Sequence, residues 1–276
     1  MSLYHQNVGV DMKIILSRKG FDSQNGGCPS PIMPDGTLLS MPIPSEDDRD
    51  KYSDLSYNGL TYAELLEQLN PKQTYDCCHI DPDIRENNRV EDISGWVPAF
   101  GQMSSAQGVL ANAEVERGDI FLFFGWFRRV EQIGGKYRFV PRSKGGFYDH
   151  ADLHVIYGYM QIGDIHVDDI TDFKWHPHAY YVSKPNVIYT AADRFALNDS
   201  MMGSGTLDYR IDRVLTLEGE SRATWIPYPF LMPEYLYDKR KNSAKGEGLY
   251  YSGIWQELVL KESEELLRWV RTIVSG

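Results

Sequence analysis

Cysteine is scarce in this chain: three among 276 residues, two of them adjacent at Cys77 and Cys78. That number supplies neither a disulfide framework nor a paired CxxC motif, and it points to the cytoplasm. No apolar run approaches the roughly 20 residues that cross a bilayer, so no membrane role is expected. The opening MSLYHQNVGVD has no cationic start and no apolar centre. It reads as an extension, 1–11, ahead of the first strand rather than as a secretory signal. Positive charge is also in short supply, with 28 Lys and Arg against 39 Asp and Glu and a formal net charge of −11. A protein that coats nucleic acid through its phosphates carries a basic surface, so a generic DNA or RNA coat is disfavoured, although a local basic patch is not. The chain contains no GxxxxGK[ST] loop, no GxGxxG opening a helix, no GxSxG elbow and no HExxH. It is therefore not an obvious P-loop enzyme, dehydrogenase, serine hydrolase or zincin.

What is present suits a soluble globular protein: 42% hydrophobic and 24% charged residues, with 24 glycines and 18 tyrosines. GDIFLFFGWFRRV is the clearest strand, too aromatic to favour a helix. MKIIL, LHVIYGYMQIGDI, NVIYTA and IDRVLTLEG also read as strands, and Gly134-Gly135 turns the first into a return through KYRFVP. Helices are few. Thr61, with Glu64 three residues on, predicts a capped helix ending at Asn70-Pro71, and FGQMSSAQGVLANAEV holds a short one. Ser263 caps an amphipathic C-terminal helix whose Leu266, Leu267, Val270, Ile273 and Val274 face inward. Strands and helices do not alternate regularly, which argues against a doubly wound fold. The expectation is an α+β protein with a curved or barrel-like, mostly antiparallel sheet, and one compact domain over 12–276.

The candidate site residues fall in separate stretches. In LSRKGFDSQNGGCPSP, Arg18, Lys19 and Asp22 stand where a strand leaves the core, in a turn stiffened by glycine and proline. Such a place aims loop side chains at a ligand, or is simply a solvated turn. His79, Asp81 and Asp83 are spaced by two, so an extended backbone would turn them to one face. An imidazole with two carboxylates can hold a divalent metal or act as base and orienting acid; a plain Asp turn is the alternative. WHPH carries His176 and His178 at a metal-ligand spacing that also fits a structural strand end. Trp126 could stack a base and Arg128 could meet a phosphate or carbonyl. Gln102 and Gln107 can each read a nucleobase edge. Along LHVIYGYMQ, alternation puts His154, Ile156 and Gly158 on one face and Val155, Tyr157 and Tyr159 on the other. Mid-strand Gly125 and Gly158 imply that a ligand or a crossing backbone comes close. Cys28 would be reactive only if Arg18 or Lys19 lay near enough to lower its pKa.

Read in order, LSRKGFDSQNGGCPSPIMPDGTLLSMPIP, HIDPD, FGQMSSAQ, GDIFLFFGWFR, LHVIYGYMQIGDI, WHPH and WQELVL resemble the third class of nucleotide modification associated domain. The likeness runs from about Met12 to the final helix. What the resemblance implies is a setting: bacterial and phage-linked proteins associated with enzymes that make modified nucleobases in DNA. It supplies no mechanism. A fainter pattern, GQ, small residues, AQ and then a Gly118-Asp119 turn into an aromatic strand, is similar to PUA-like barrels of the ASCH and EVE type. Those bind RNA or modified bases.

The function expected from residues and resemblance is the handling of a nucleotide or extruded base in a DNA-modification pathway. His79, Asp81 and Asp22 are the catalytic candidates. Arg18, Lys19, Gln102, Gln107, Trp126, Arg128 and His154 would bind the ligand. Asp83, His176 and His178 would hold a divalent metal, if one is used. The partners would be a nucleotide or nucleobase, locally DNA, and other modification enzymes. A non-catalytic PUA-like reader of modified bases or single strands is the first alternative, and a metal-dependent phosphoesterase the second.

Overall fold

The computed structural model describes residues 12–85, 88–167, 170–239, 242–253 and 255–276. The expected extension 1–11 lies outside the described residues. The fold is α+β, a large mixed sheet with few helices.

The nine strands of that sheet are β1 (Ile14–Arg18), β2 (Ser30–Ile32), β3 (Ala99–Met103), β4 (Ile120–Ile133), β5 (Lys136–Phe139), β6 (Leu153–Val167), β7 (Asn186–Ala191), β8 (Ser204–Thr206) and β9 (Glu257–Leu260). Its main path runs β9-β1-β4-β6-β7-β3, with β2 and β5 joined to β4 and β8 to β6. β1 and β2 run parallel to β4, while the other pairs are antiparallel. Among the described residues the sheet forms no closed barrel. β4 and β6, 14 and 15 residues long, form its spine and exchange partners along their length. β4 is buried on both faces, so Ile120 to Phe124 is continuously apolar rather than alternating.

On one face, Ile14, Leu16, Ile120, Leu122 and Phe124 pack with Trp225 and the C-terminal helix. On the other, Ile15, Phe121, Phe123, Phe100 and Tyr189 form a second core. A third, smaller core gathers Phe21, Tyr52, Tyr62, Leu65 and Ile80 beside the sheet. The expected caps are made. Thr61 and Glu64 close a capping box on α1 (Tyr62–Leu69). Ser263 Oγ accepts the Leu266 amide at the start of α3 (Glu264–Ser275), which follows α2 (Ser104–Asn112).

Two expectations change. IDRVLTLEG forms no strand: a 3-10 turn at Ile211–Arg213 leads into extended chain making single bridges, Val155 to Val214 and Thr216 to Trp225. Arg213 drives that turn, because its buried guanidinium donates to the carbonyls of Asp208 and Ile273. Along β6 a bulge between Ile156 and Gly158 resets the alternation. Ile156 and Tyr159 therefore join one core, and Val155, Tyr157 and Met160 the other. The glycines answer to crossing chain rather than to a ligand. A Cβ at Gly125 would stand 2.8 Å from the Lys19 carbonyl oxygen, and one at Gly158 would overlap Ile84.

Candidate functional site

β1 ends at Arg18, and the Lys19 amide donates to the Phe124 carbonyl, so the chain leaves the sheet at a fixed angle. Beside it, antiparallel to β1, begins β9 with Glu257, a buried carboxylate in an otherwise apolar strand. Glu257 Oε1 lies 3.3 Å from Lys19 Nζ and accepts from Ser17 Oγ at 3.0 Å and Gln102 Nε2 at 2.7 Å. Lys19 Nζ is also 3.9 Å from Asp81 Oδ2 and sits over the Phe100 ring. An ammonium nearly out of water is tolerable here because two carboxylates face it.

His79 is brought in by pairing of Cys78–His79 with Ile43–Pro44. Its Nδ1 lies 3.0 Å from Asp48 Oδ2, and the Tyr181 hydroxyl is 2.9 Å from the same oxygen. Burial works against the Asp48 charge, but the hydrogen bonds from His79, Ser45 and Tyr181 keep its carboxyl below the ordinary value. Asp81 follows two residues later. Its Oδ1 accepts the Gly101 amide at 2.7 Å and lies 3.5 Å from His176 Nε2. Burial would raise the Asp81 pKa, yet His176, Lys19 and His178 hold it well below the usual carboxylate range.

His176 and His178 do different work because a 3-10 turn, Pro177–Tyr180, separates their rings. His176 Nδ1 accepts the His178 amide at 3.2 Å, which leaves its Nε2–H for Asp81. His178 instead reaches the pocket, its Nδ1 2.8 Å from Asn186 Oδ1. Burial lowers the His178 pKa to about 4 despite Asp81, so the ring is neutral near pH 7. A Cβ at Gly101 would overlap the His178 imidazole; glycine lets the ring lie against β3.

One nitrogen or oxygen from each of His79, Asp81 and His178 lies within 4.8 Å of the others. These residues, with Lys19, Gln102 and Arg18, line a pocket of about 180 Å³. It opens beside a cleft of about 890 Å³, and Arg18, Asp22, Asn25 and Gln256 line both. In the cleft Arg222 lies over the Trp126 ring, 4.1 Å from its centroid, and donates to Ser23 Oγ at 2.6 Å. Burial depresses the Arg222 pKa, and Arg18 adds to the effect by repulsion.

The sequence candidates thus divide. His79, Asp81, Asp22, Arg18, Lys19, Gln102 and His178 line the pocket, and Trp126 and His154 the cleft. Asp22 is already engaged: it pairs with Arg18 at 3.1 Å and caps the turn by accepting the Gln24 and Asn25 amides. His154 is buried, its Nδ1 accepting from Trp225 Nε1 at 3.0 Å. Other candidates are placed away from these cavities. Asp83 faces Arg89 at 2.8 Å, because the bend at Pro82 turns it off the His79–Asp81 face. His176 stands behind Asp81 rather than at the cluster. Gln107 accepts the Tyr189 hydroxyl at 2.9 Å, and Arg128 donates to the Val140 carbonyl at 2.6 Å. Cys28 is buried, and burial pushes its thiol up to about 11, so no nearby cation activates it.

Sequence reasoning missed Asp48, Tyr181, Asn186, Glu257 and Arg222. Glu257 carried a signal, a lone acid opening the apolar run ELVL. Asp48 was one of many acids in SEDDRD and carried none.

No helix among the described residues is long and apolar enough to cross a membrane. The family model described as Nucleotide modification associated domain 3 matches residues 13–261. Neither a curated protein nor a solved structure matches the chain.

Proposed function

The chain belongs to the nucleotide modification associated domain 3 family, and from that premise we propose that it is an enzyme acting on a nucleotide or an extruded base. The observation that carries this reading is the junction of the two cavities, with Arg18 on the wall of both. A cleft of about 890 Å³ suits a nucleotide-sized ligand. Arg18 and Arg222 repel each other across it, and a phosphate between them would offset that repulsion while accepting charge-assisted hydrogen bonds. The indole of Trp126 is covered by Arg222 on one side, so the guanidinium plane offers the stacking surface there. The reacting end of the ligand enters the smaller pocket, where Gln102 stands at the wall. There His79, oriented by Asp48, turns Nε2 toward the reacting end of the ligand, and Asp81 stays ionised beside it. Asp22 acts by holding Arg18.

The test is calorimetric titration of the full chain with nucleoside monophosphates, triphosphates and unphosphorylated nucleosides. Phosphorylated ligands binding at least tenfold tighter than nucleosides, with the preference lost in Arg222→Ala, is the expected outcome. Absence of binding by all three classes would overturn it. One observation favours a second reading, a non-catalytic base reader: the Arg222–Trp126 platform lies in the open cleft and not in the pocket. That reading requires His79→Ala to leave both ligand binding and biological activity intact.

A further inference from the structure

We propose that His79, Asp81 and His178 form a binding site for one borderline divalent cation of the first transition series. The neighbours of each ring fix where its proton sits. Asn186 Nδ2 donates to the carbonyl oxygens of His178, at 2.8 Å, and Tyr181, at 3.2 Å. Its Oδ1 is therefore the atom turned to the His178 ring, and as an acceptor it requires the proton on Nδ1. Asp48 imposes the same tautomer on His79, since a carboxylate can only accept. In both rings Nε2 is left with a lone pair. Asp81 Oδ1 accepts the Gly101 amide, which orients the carboxylate, and His176 Nε2 lies 3.5 Å behind it.

One ligand atom from each of the three residues lies within 4.8 Å of the other two, and electron-pair donors grouped in this way bring no proton to share among themselves. Placing acceptors together out of water is unfavourable unless a cation lies between them. The pocket's charge permits one: Asp48, Asp81 and Glu257 stand against the ammonium of Lys19, which Glu257 holds at 3.3 Å, while Arg18 on the same wall is paired with Asp22 at 3.1 Å. Outer partners on each ligand are what metal-binding histidines and carboxylates require for fixed tautomer and orientation. Two imidazoles with one carboxylate and no thiolate favour Mn(II), Fe(II), Co(II), Ni(II) or Zn(II) over Mg(II) or Ca(II), which take oxygen ligands. Three protein ligands leave positions open to the 180 Å³ pocket, where a substrate atom or water can bind the ion.

The proposal stands apart from the nucleotide reading, because the ion can bind with the cleft empty. The experiment is titration of the chelator-treated full chain with Co(II) and with Zn(II), without nucleotide. Heat and the visible Co(II) spectrum are recorded, with Mg(II) as comparison. One equivalent should bind, with Mg(II) far weaker. His79→Gln and His178→Gln should each weaken binding at least tenfold, and Asp48→Asn by about 10–100-fold while touching no metal. Circular dichroism identifies variants that remain folded, and His79, the more exposed of the two rings, supplies the tolerant substitution. No saturable binding of either ion to the parent chain would overturn the site. So would binding unchanged in folded His79→Gln and Asp48→Asn proteins, which places the ion elsewhere.

Discussion

Ser17 and Glu257, 240 positions apart in the chain, are register partners across the β1–β9 ladder and are hydrogen-bonded at 3.0 Å. Through that pair the end of the chain completes the pocket begun by its first strand. Gln102 reaches the same Glu257 oxygen from β3, and Lys19 supplies its counter-charge.

The Lys19–Glu257 pair is therefore buried and one-sided changes to it should be expensive. Lys19→Met removes the ammonium that faces the buried Glu257 carboxylate and is expected to lower unfolding free energy by about 3–5 kcal/mol. Lys19→Met combined with Glu257→Gln should recover more than half of that loss. Urea unfolding of both variants checks it, and equal losses in the two would show that the charge pair is not what matters.

Gly101→Ala adds a Cβ where the His178 ring lies. Either the ring or β3 must shift, at a cost of about 1–3 kcal/mol. The displaced His178 Nε2 should also weaken Co(II) binding at least tenfold. A variant with parent-like melting temperature and Co(II) affinity would contradict the packing described here.

Arg222→Lys separates charge from shape in the cleft. Lysine keeps one positive charge but not the flat guanidinium over Trp126. Preference for phosphorylated over unphosphorylated ligand should persist in Arg222→Lys, whereas discrimination between purine and pyrimidine bases should fall. Arg222→Ala should lose both. Competition titrations with paired nucleotides measure the two effects independently.

His154 makes stability depend on pH. Burial, with repulsion from Arg222 and Arg18, holds its pKa well below the ordinary 6.5. Below that pH the unfolded chain takes up a proton that the native ring refuses, so the unfolded state gains. Stability contributed by neutral His154 is present above about pH 6.5 and declines as pH falls, by up to about 1.4 kcal/mol per unit. His154→Asn can keep an acceptor near Trp225 and cannot titrate. Its unfolding free energy should fall less steeply between pH 6.5 and 4.5, and parallel slopes for parent and variant would rule His154 out as the source.

Much of the local structure was legible in the residue order. Thr61 with Glu64, and Ser263 before LL-x-WV-x-x-IV, are caps and stripes whose causes lie within one or two helical turns. The aromatic run of β4 and the Gly134-Gly135 return to β5 are likewise local. Alternation failed where a bulge intervened, because one extra residue at Ile156/Gly158 reverses every later side chain and leaves no mark in composition. Spacing failed similarly at Asp83: periodicity by two presumes straight chain, and the bend at Pro82 sends Asp83 to Arg89 instead.

By itself, the sequence determined most of the element types, the caps, the family and most of the polar groups that surround the pocket, since these depend on residue chemistry and on neighbours close in the chain. Only the tertiary structure decided which of them meet. Parallel pairing of β1 with β4 and the return of β9 beside β1 carry Lys19 to Glu257. The turn at Pro177 sends His178 inward while His176 stays behind Asp81. Those are long-range packing outcomes, fixed by how whole faces bury against one another, and no local pattern encodes them.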